Sequence, residues 1–189
     1  MENKNNKLND FVKPILVLAI ICFVVTFALA YAYGVTNPII EARAKADADA
    51  TRMELLSDAD AFTPIDEGQL YQLDGKVFAK EAYTADNGSG MVVTVSSNSY
   101  GGAMVVMVGI DKEGAVTGVK VTSHADTAGV GTKAIDSEDH RGQYKGLTEL
   151  DNIEVKKCTQ VNAVSGASVS SGAIHKAVYC ALEQFKAVK

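Results

Sequence analysis

The first part of the chain is a long apolar stretch. Residues 15–33 contain no charged side chain over 19 positions, and a helix needs roughly 20 apolar residues to cross the hydrocarbon core of a bilayer. Tyr31 and Tyr33 lie at the far end of the stretch, where aromatic rings favour the membrane surface. The pattern predicts a transmembrane helix over residues 15–33, preceded by a cytoplasmic segment of residues 1–14.

The charges that flank this helix predict its orientation. Lys4, Lys7 and Lys13 precede the helix, while Arg43 and Lys45 follow it, and basic residues collect on the cytoplasmic side of membrane helices. The N-terminus is therefore expected in the cytoplasm and the rest of the chain outside it. Residues 28–30 also fit a signal-peptidase site, but the apolar part of a signal peptide is usually shorter than this run, which favours an uncleaved anchor.

Residues 36–58 continue with a helical composition. Asn37 and Pro38 mark the exit from the apolar run, and the residues after them are rich in Ala, Glu, Arg, Lys and Met, which are strong helix formers. The composition predicts a helical stalk between the membrane and a C-terminal domain of residues 60–189.

The C-terminal domain alternates between strand-like runs and turns. Apolar runs at residues 91–97, 103–110 and 116–121 are separated by turn residues, and Asp74 with Gly75 forms a dipeptide typical of hairpins. Residues 155–164 also have the composition of a strand. The pattern predicts an α+β domain with an antiparallel or mixed sheet flanked by helices.

The clearest helical periodicity lies near the C-terminus. Its apolar positions follow one face of a helix: Ala173, Ile174, Ala177, Val178, Ala181 and Leu182. The segment Ser165-Gly-Ala-Ser168-Val-Ser-Ser-Gly172 precedes this face. Because the first N–H groups of a helix have no intrahelical partner, such a junction can hold a phosphate. A simpler interpretation is an ordinary helix cap by Ser170 or Ser171.

Charge and cysteine content restrict the function. The net charge of −5 argues against a nucleic-acid partner. The three cysteines include no CxxC pair and no Cys/His cluster, so neither a metal centre nor an iron–sulfur cluster is expected. Cys158 and Cys180 are either two buried thiols or, outside the cytoplasm, a disulfide.

Several blocks occur in a characteristic order: Ser99-Tyr-Gly-Gly102, then residues 124–131 (His-Ala-Asp-Thr-Ala-Gly-Val-Gly), then Ser165-Gly-Ala-Ser168-Val-Ser. Over residues 88–185 this order resembles the FMN-binding domain family, to which the G subunit of Rnf complexes and the C subunit of Nqr complexes belong. In that family the last block reads Ser/Asp-Gly-Ala-Thr/Ser-x-Ser/Thr. Its fourth residue carries FMN through a phosphoester bond, installed by a flavin transferase that takes the FMN from FAD.

The resemblance implies that Ser168 is the attachment residue, although Thr is commoner there. It is this family pattern that selects Ser168 over Ser165, Ser170 and Ser171, which also offer hydroxyls. Gly166 and Ala167 would keep the turn small enough for a phosphate to approach the backbone.

The block at residues 124–131 resembles a family loop that wraps the flavin. The implied contacts are His124, Thr127, Gly129 and Gly131. Asp126 replaces a family Glu, and Ala128 replaces a Pro, so the backbone of this loop is less constrained than in the family pattern.

The function that the resemblance implies is electron relay. The chain would be a membrane-anchored subunit carrying covalent FMN in an ion-translocating ferredoxin:NAD oxidoreductase of the Rnf type, with other membrane subunits as partners and no catalytic residues of its own. The length favours the Rnf member of the family over the Nqr member. A free-standing exported electron carrier with the same domain, or a non-redox binding domain in which Ser168 only caps a helix, remain alternatives.

Overall fold

A computed structural model describes residues 4–188 of the chain. Residues 1–3 of the predicted cytoplasmic segment and Lys189 lie outside the described residues. The first element is a helix, α1 (Lys4–Leu55), with Pro14 and Pro38 inside it. Between Val12 and Leu55 it is long and apolar enough to cross a membrane. The chain divides into two compact units between Ala48 and Asp49.

The second unit is built on a six-stranded sheet whose pairs are all antiparallel. Its strands are β1 (Phe62–Pro64), β2 (Gln72–Asp74), β3 (Val77–Ala85), β4 (Gly90–Ser99), β5 (Gly102–Asp111) and β6 (Val116–Ser123). Their order is β1-β3-β4-β5-β6, and β2 also pairs with β3. The hairpin predicted at Asp74 is confirmed, because β2 and β3 pair antiparallel across this turn. The Asp74 carboxylate accepts the N–H groups of Lys76 and Val77 at 2.7 and 2.8 Å.

One face of the sheet carries the main core. Side chains alternate between the two faces of a strand, and Val93 and Val95 of β4 lie with Val106 and Val108 of β5 in one buried cluster. The helix α4 (Ser168–Val188) covers this face. Its buried positions include all six residues of the predicted apolar face: Ala173, Ile174, Ala177, Val178, Ala181 and Leu182. The α+β class and the C-terminal helix are thus confirmed.

The last turns of α1 lie against the other face of the sheet. The Thr117 hydroxyl donates to the Leu55 carbonyl. Gly109 makes room for this contact, since a Cβ there would lie 2.8 Å from the Leu55 carbonyl oxygen. The Arg52 guanidinium stacks 3.8 Å from the ring centre of Tyr83, a cation–π contact. Both faces of the central strands are therefore covered.

The strand expected at residues 155–164 does not form. The N–H groups of Lys157 and Cys158 both bond to the Glu154 carbonyl, which closes a turn, and the Asp151 carboxylate accepts the Thr159 N–H at 2.9 Å and the Thr159 hydroxyl at 2.6 Å. Local bonds of this kind compete with a strand ladder. Val155 and Val161 still reach the core, which explains why the segment has the composition of a strand.

Two short helices complete the second unit, α2 (Thr132–Asp136) and α3 (Glu138–Gly142). Ser137 caps α3 by accepting the His140 N–H at 3.1 Å. Cys158 and Cys180 are both free thiols, so the disulfide alternative does not hold. Cys180 is buried as expected, whereas Cys158 is only half-buried.

Candidate functional site

A cleft of about 550 Å³ opens at the N-terminus of α4. It is lined by residues from three segments that are distant in the sequence. These are the β4–β5 turn, the loop after β6 and the first turn of α4: Tyr100, Thr127, Val130, Gly131, Gly166, Ala167, Ser168, Val169 and Ser170. The cleft therefore combines all three sequence blocks that carry the family resemblance.

A tight turn presents Ser168 to the cleft. Gly166 has φ of +80°, a left-handed conformation that glycine adopts without steric cost. The Ala167 N–H then bonds to the Val164 carbonyl at 3.0 Å, and Ser168 begins the helix. At that position the hydroxyl lies beside backbone N–H groups that have no intrahelical acceptor, at the positive end of the helix dipole.

The other serines of this segment are engaged differently. The Ser171 hydroxyl accepts the Val164 N–H at 3.0 Å, and the Ser170 hydroxyl donates to the Asp126 carboxylate at 2.6 Å. Both residues are buried, whereas Ser165 is exposed and does not line the cleft. The Ser168 hydroxyl makes no hydrogen bond within residues 4–188, so it is the lining serine that remains available for modification.

Asp126 connects the three segments of the cleft. Its Oδ2 accepts the hydroxyls of Ser99 at 2.5 Å and Ser170 at 2.6 Å, and its Oδ1 accepts the Gly101 N–H at 2.7 Å. Burial raises the pKa of this carboxyl, but the bonds from Ser170, Ser99 and Gly101 outweigh burial, so that the net pKa lies below its usual range. The carboxylate is thus ionised at neutral pH although it is only 8% exposed.

Two glycines allow the backbone to close around Asp126. A Cβ on Gly101 would lie 2.1 Å from the Ala125 carbonyl oxygen, and a Cβ on Gly131 would lie 2.7 Å from the Asp126 Cβ. Neither distance is sterically possible for a side chain. Glycine is required at both positions by close packing rather than by turn geometry.

The rim of the cleft is apolar and exposed. Tyr100, Val130 and Val169 are 79, 55 and 54% exposed, each from a different segment. Large exposed apolar side chains that meet around a cleft are typical of a binding site.

The structure brings together six of the residues expected at the site and leaves four outside the cleft lining. Thr127, Gly131, Gly166, Ala167, Ser168 and Ser170 line the cleft; His124, Gly129, Ser165 and Ser171 do not. His124 is exposed on the loop, and Gly129, at φ of +75°, donates its N–H to the Thr132 hydroxyl at 2.9 Å. Gly129 therefore acts on the shape of the loop.

The roles of four residues of the site were not predicted from the sequence: Asp126, Tyr100, Val130 and Val169. Tyr100 lies in the Ser99-Tyr-Gly-Gly102 block and Asp126 in the loop of residues 124–131, so the blocks located them without showing their roles. A local sequence pattern shows neither that a side chain is exposed on the rim of a cleft nor that Asp126 bonds to a serine 44 positions away.

These residues fit a phosphorylated ligand with a flat ring. The small residues Gly166 and Ala167 leave the helix N-terminus open to a phosphate, and the rim supplies apolar surface for the ring. The volume of the cleft lies in the range of small-molecule sites, about 300–1,000 Å³. Among residues 4–188, no group of three or more His, Cys, Asp or Glu side chains could hold a metal ion.

A second polar network lies further along α4. The His175 Nε2–H donates to the Asn152 carbonyl at 2.8 Å, and the Tyr144 hydroxyl donates to His175 Nδ1 at 3.3 Å; we assign this tautomer from the acceptor at each nitrogen. His140 packs edge-on against Tyr144 and bonds through Nδ1 to the Asn162 carbonyl at 3.0 Å. Burial lowers the pKa of both histidines, so the network is neutral.

Comparison with known proteins gives one domain match and several full-length relatives. Residues 99–183 match the FMN-binding domain. Over 173 residues the chain is 31% identical to the G subunit of the proton-translocating ferredoxin:NAD(+) oxidoreductase complex of Clostridium ljungdahlii, covering 88% of this chain and 87% of the relative. It is 27% identical to the G subunit of the ion-translocating oxidoreductase complex of Methanosarcina acetivorans, covering 94% and 96%. It is 24% identical to the G subunit of the Na(+)-translocating ferredoxin:NAD(+) oxidoreductase complex of Acetobacterium woodii, covering 98% of each chain.

Proposed function

The chain belongs to the family of G subunits of ion-translocating oxidoreductase complexes, and we propose that it is the membrane-anchored electron-transfer subunit of such a complex, with FMN bound covalently to Ser168. The observation that carries the site assignment is the position of Ser168. It is the first residue of α4, lies on the wall of the cleft and has an uncommitted hydroxyl. The names of the relatives support a ferredoxin:NAD oxidoreductase as the complex, and the other membrane subunits of that complex as partners.

The attachment is a phosphoryl-type transfer without redox change. The Ser168 Oγ–H bond breaks, a bond forms between Oγ and the phosphorus of the FMN moiety of FAD, and the phosphoanhydride bond to AMP breaks. AMP leaves with the electron pair of that bond, and the serine proton passes to a base. Within residues 4–188, no hydrogen bond joins the Ser168 hydroxyl to a histidine, lysine or carboxylate, which agrees with a base supplied by a separate flavin transferase.

The residues of the chain would then hold and orient the bound flavin. The N–H groups at the start of α4 would stabilise the phosphodiester, and Tyr100, Val130 and Val169 would offer apolar surface to the ring. FMN itself supplies the redox chemistry when bound. Because the rim is exposed, one edge of the ring would stay accessible to an electron donor or acceptor.

The proposed topology places the cleft outside the cytoplasm. The supporting features are the apolar helix α1 and the excess of lysines before its apolar run. Covalent attachment suits this location, because a flavin released outside the cell would be lost by dilution. We propose residues 15–33 as the spanning part, residues 36–58 as the stalk and residues 60–189 as the flavin domain.

The test is co-expression of the full-length chain with a flavin transferase, followed by a denaturing gel viewed under ultraviolet light. The wild-type band is expected to fluoresce, because only a covalent flavin survives denaturation. Ser168→Ala is expected to lose the fluorescence completely, and Ser168→Thr to retain it.

Ser165→Ala is the matched control, since it removes a neighbouring exposed hydroxyl outside the cleft lining. It is expected to fluoresce like the wild type. A dark wild-type band beside a transferase that labels a control protein would contradict covalent attachment. A fluorescent Ser168→Ala band would move the attachment to another residue.

A further inference from the structure

We propose that Asp126 is the positioning residue of the attachment turn, which holds Ser170 so that the Ser168 hydroxyl faces the cleft and accepts the flavin. This inference rests on the proposed function and assigns a separate task to each of the two hydroxyls in the motif. Ser168 forms the bond to phosphorus. Ser170, which the sequence offered as a helix cap or as an alternative hydroxyl for the flavin, anchors the helix.

One carboxylate joins three segments of the cleft. Ser99 lies 27 positions and Ser170 lies 44 positions from Asp126 in the sequence, and Gly101 belongs to the turn after Ser99. All three donate to the same buried group. The first turn of α4 is thereby fixed to the two loops that form the rest of the cleft.

The rotation of the helix relates the directions of the two serine side chains. Ser168 and Ser170 are two positions apart, and two positions correspond to about 200° around an α-helix. When the Ser170 side chain points to the buried carboxylate, the Ser168 side chain points away from Asp126. Both residues line the cleft, but Ser170 is buried and Ser168 is half-exposed. The bond between Ser170 and Asp126 therefore sets the direction of the attachment hydroxyl.

The carboxylate of Asp126 suits its three donors. Both oxygens of an ionised carboxylate accept only, so Asp126 can accept two hydroxyls on Oδ2 and one N–H on Oδ1. In Asp126→Asn one of these atoms becomes an NH₂ donor. If the NH₂ group faces the Gly101 N–H, that bond is lost. If it faces the two serines, both hydroxyls must turn from donating to accepting, which changes the position of Ser170 relative to the carboxylate.

The experiment measures initial rates of flavin transfer from FAD to the purified apo full-length chain in detergent, with varied chain concentration. Ser170→Ala is expected to lower kcat roughly tenfold to a hundredfold, the scale of a small misplacement of a reacting group. The KM for the chain is expected to change little, because the surface offered to the transferase is the same. Ser170→Thr keeps the donor and is expected to restore the rate.

Ser99→Ala is the matched control, because it removes a hydroxyl from the same carboxylate oxygen without touching α4. Its rate is expected to fall much less than that of Ser170→Ala. Asp126→Asn combined with Ser170→Ala is expected to be no slower than the slower single variant, since both act through one bond. Amide hydrogen exchange of each apo variant gives a readout without flavin: residues 168–172 are expected to exchange faster in Ser170→Ala than in Ser99→Ala.

Two results would overturn the inference. One is a wild-type rate of transfer to Ser170→Ala, and the other is an equal loss of rate in Ser99→Ala and Ser170→Ala. Either result leaves attachment at Ser168 intact, provided that the wild-type chain is labelled. A wild-type chain that is not labelled, while Ser168→Thr is also dark, would overturn the proposed function and this inference with it.

Discussion

The flavin domain contains two buried polar networks that contact the same helix, one charged and one neutral. Asp126, which bonds to Ser170 in the first turn of α4, is charged, and both of its oxygens have donors. The network of His140, Tyr144 and His175 is neutral, and His140 Nε2 has no partner among residues 4–188. Ser170 and His175 are five positions apart, which separates their directions by about 140° around the helix.

The difference indicates what each network does. A buried carboxylate requires its donors in fixed places, because an unpaired buried charge is costly, and so it determines the geometry of the cleft. An unpaired nitrogen in a neutral ring costs less than an unpaired charge, and the rings contribute mainly through buried area and edge-on contacts. We therefore expect the first network to control flavin attachment and the second to control stability.

The largest effect on stability is expected from Tyr144→Ala. Tyr144 is completely buried and packs between His140 and His175, so truncation should cost about 3–5 kcal/mol of unfolding free energy, as for other buried aromatic residues. Urea unfolding of the full-length chain in detergent, followed by near-ultraviolet circular dichroism, measures the loss. The folded fraction should still accept flavin at a rate close to wild type; a tenfold slower rate would break the proposed division of roles.

A smaller loss of stability with a larger effect on the cleft is expected from Gly101→Ala. The new Cβ would collide with the Ala125 carbonyl, and such overpacking costs about 1–3 kcal/mol. Because the collision separates the two loops that Asp126 joins, the rate of flavin transfer should fall as well.

Gly142→Ala provides the matched control for this variant. Gly142 has open space around it and lies in α3, where alanine is favoured over glycine by up to about 1 kcal/mol. This substitution should be neutral or stabilising and leave flavin transfer unchanged. Equal losses in both variants would show that the close packing at Gly101 does not matter.

The two networks should lose their contributions to stability in different pH ranges. Burial lowers the pKa of His140 and of His175, against the opposing effects of the Asn162 and Asn152 carbonyls and, for His175, of Asp151. The unfolded chain therefore takes up protons first as the pH falls below about 6.5, so the stability that these histidines contribute is present above that pH and is lost on acidification. The lowered pKa of Asp126 leads to a loss only below about pH 4.

This difference in pH range can be tested by measuring the free energy of unfolding at pH 7, 6 and 5. It should decrease over the interval by at most about 1.4 kcal/mol per pH unit for each histidine. His175→Gln should make the decrease shallower. Asp126→Asn should leave the slope unchanged, because the carboxyl is ionised throughout this interval, and a flattened slope in Asp126→Asn would contradict the assignment.

The smallest effect is expected from Tyr144→Phe. This change removes only the hydroxyl that donates to His175 Nδ1 at 3.3 Å and keeps the packing. A loss of about 1 kcal/mol is expected, the usual contribution of one hydrogen bond. A loss comparable with that of Tyr144→Ala would mean that the hydrogen bond, and not the ring, stabilises this region.

Much of the fold follows from local patterns in the sequence. The runs at residues 91–97, 103–110 and 116–121 became β4, β5 and β6, and the apolar periodicity after Gly172 became α4. These elements are predictable because each has a period that matches its own geometry. The prediction of a strand at residues 155–164 was wrong, because the turn there depends on side chains such as Asp151 that bond to residues several positions away.

Some residues of the site could likewise be predicted from the sequence, and others could not. The turn that presents Ser168 could be located from its motif, and Thr127 and Gly131 from the loop block. The role of Asp126 depends on Ser170 and Ser99, which only the folded chain brings together. The rim residues Tyr100, Val130 and Val169 are defined by exposure, a property of the tertiary structure that no spacing encodes.

The position of α4 in chain order has a consequence for biosynthesis. All six strands precede α4, so during synthesis the face of the sheet that α4 covers has no partner until the helix has emerged. Ser168 begins this last element, and the carboxylate that orients it was made 42 positions earlier. Flavin attachment is therefore expected to be a late step in maturation. Chains in which α4 already covers the sheet would be labelled, and incomplete chains would remain unlabelled.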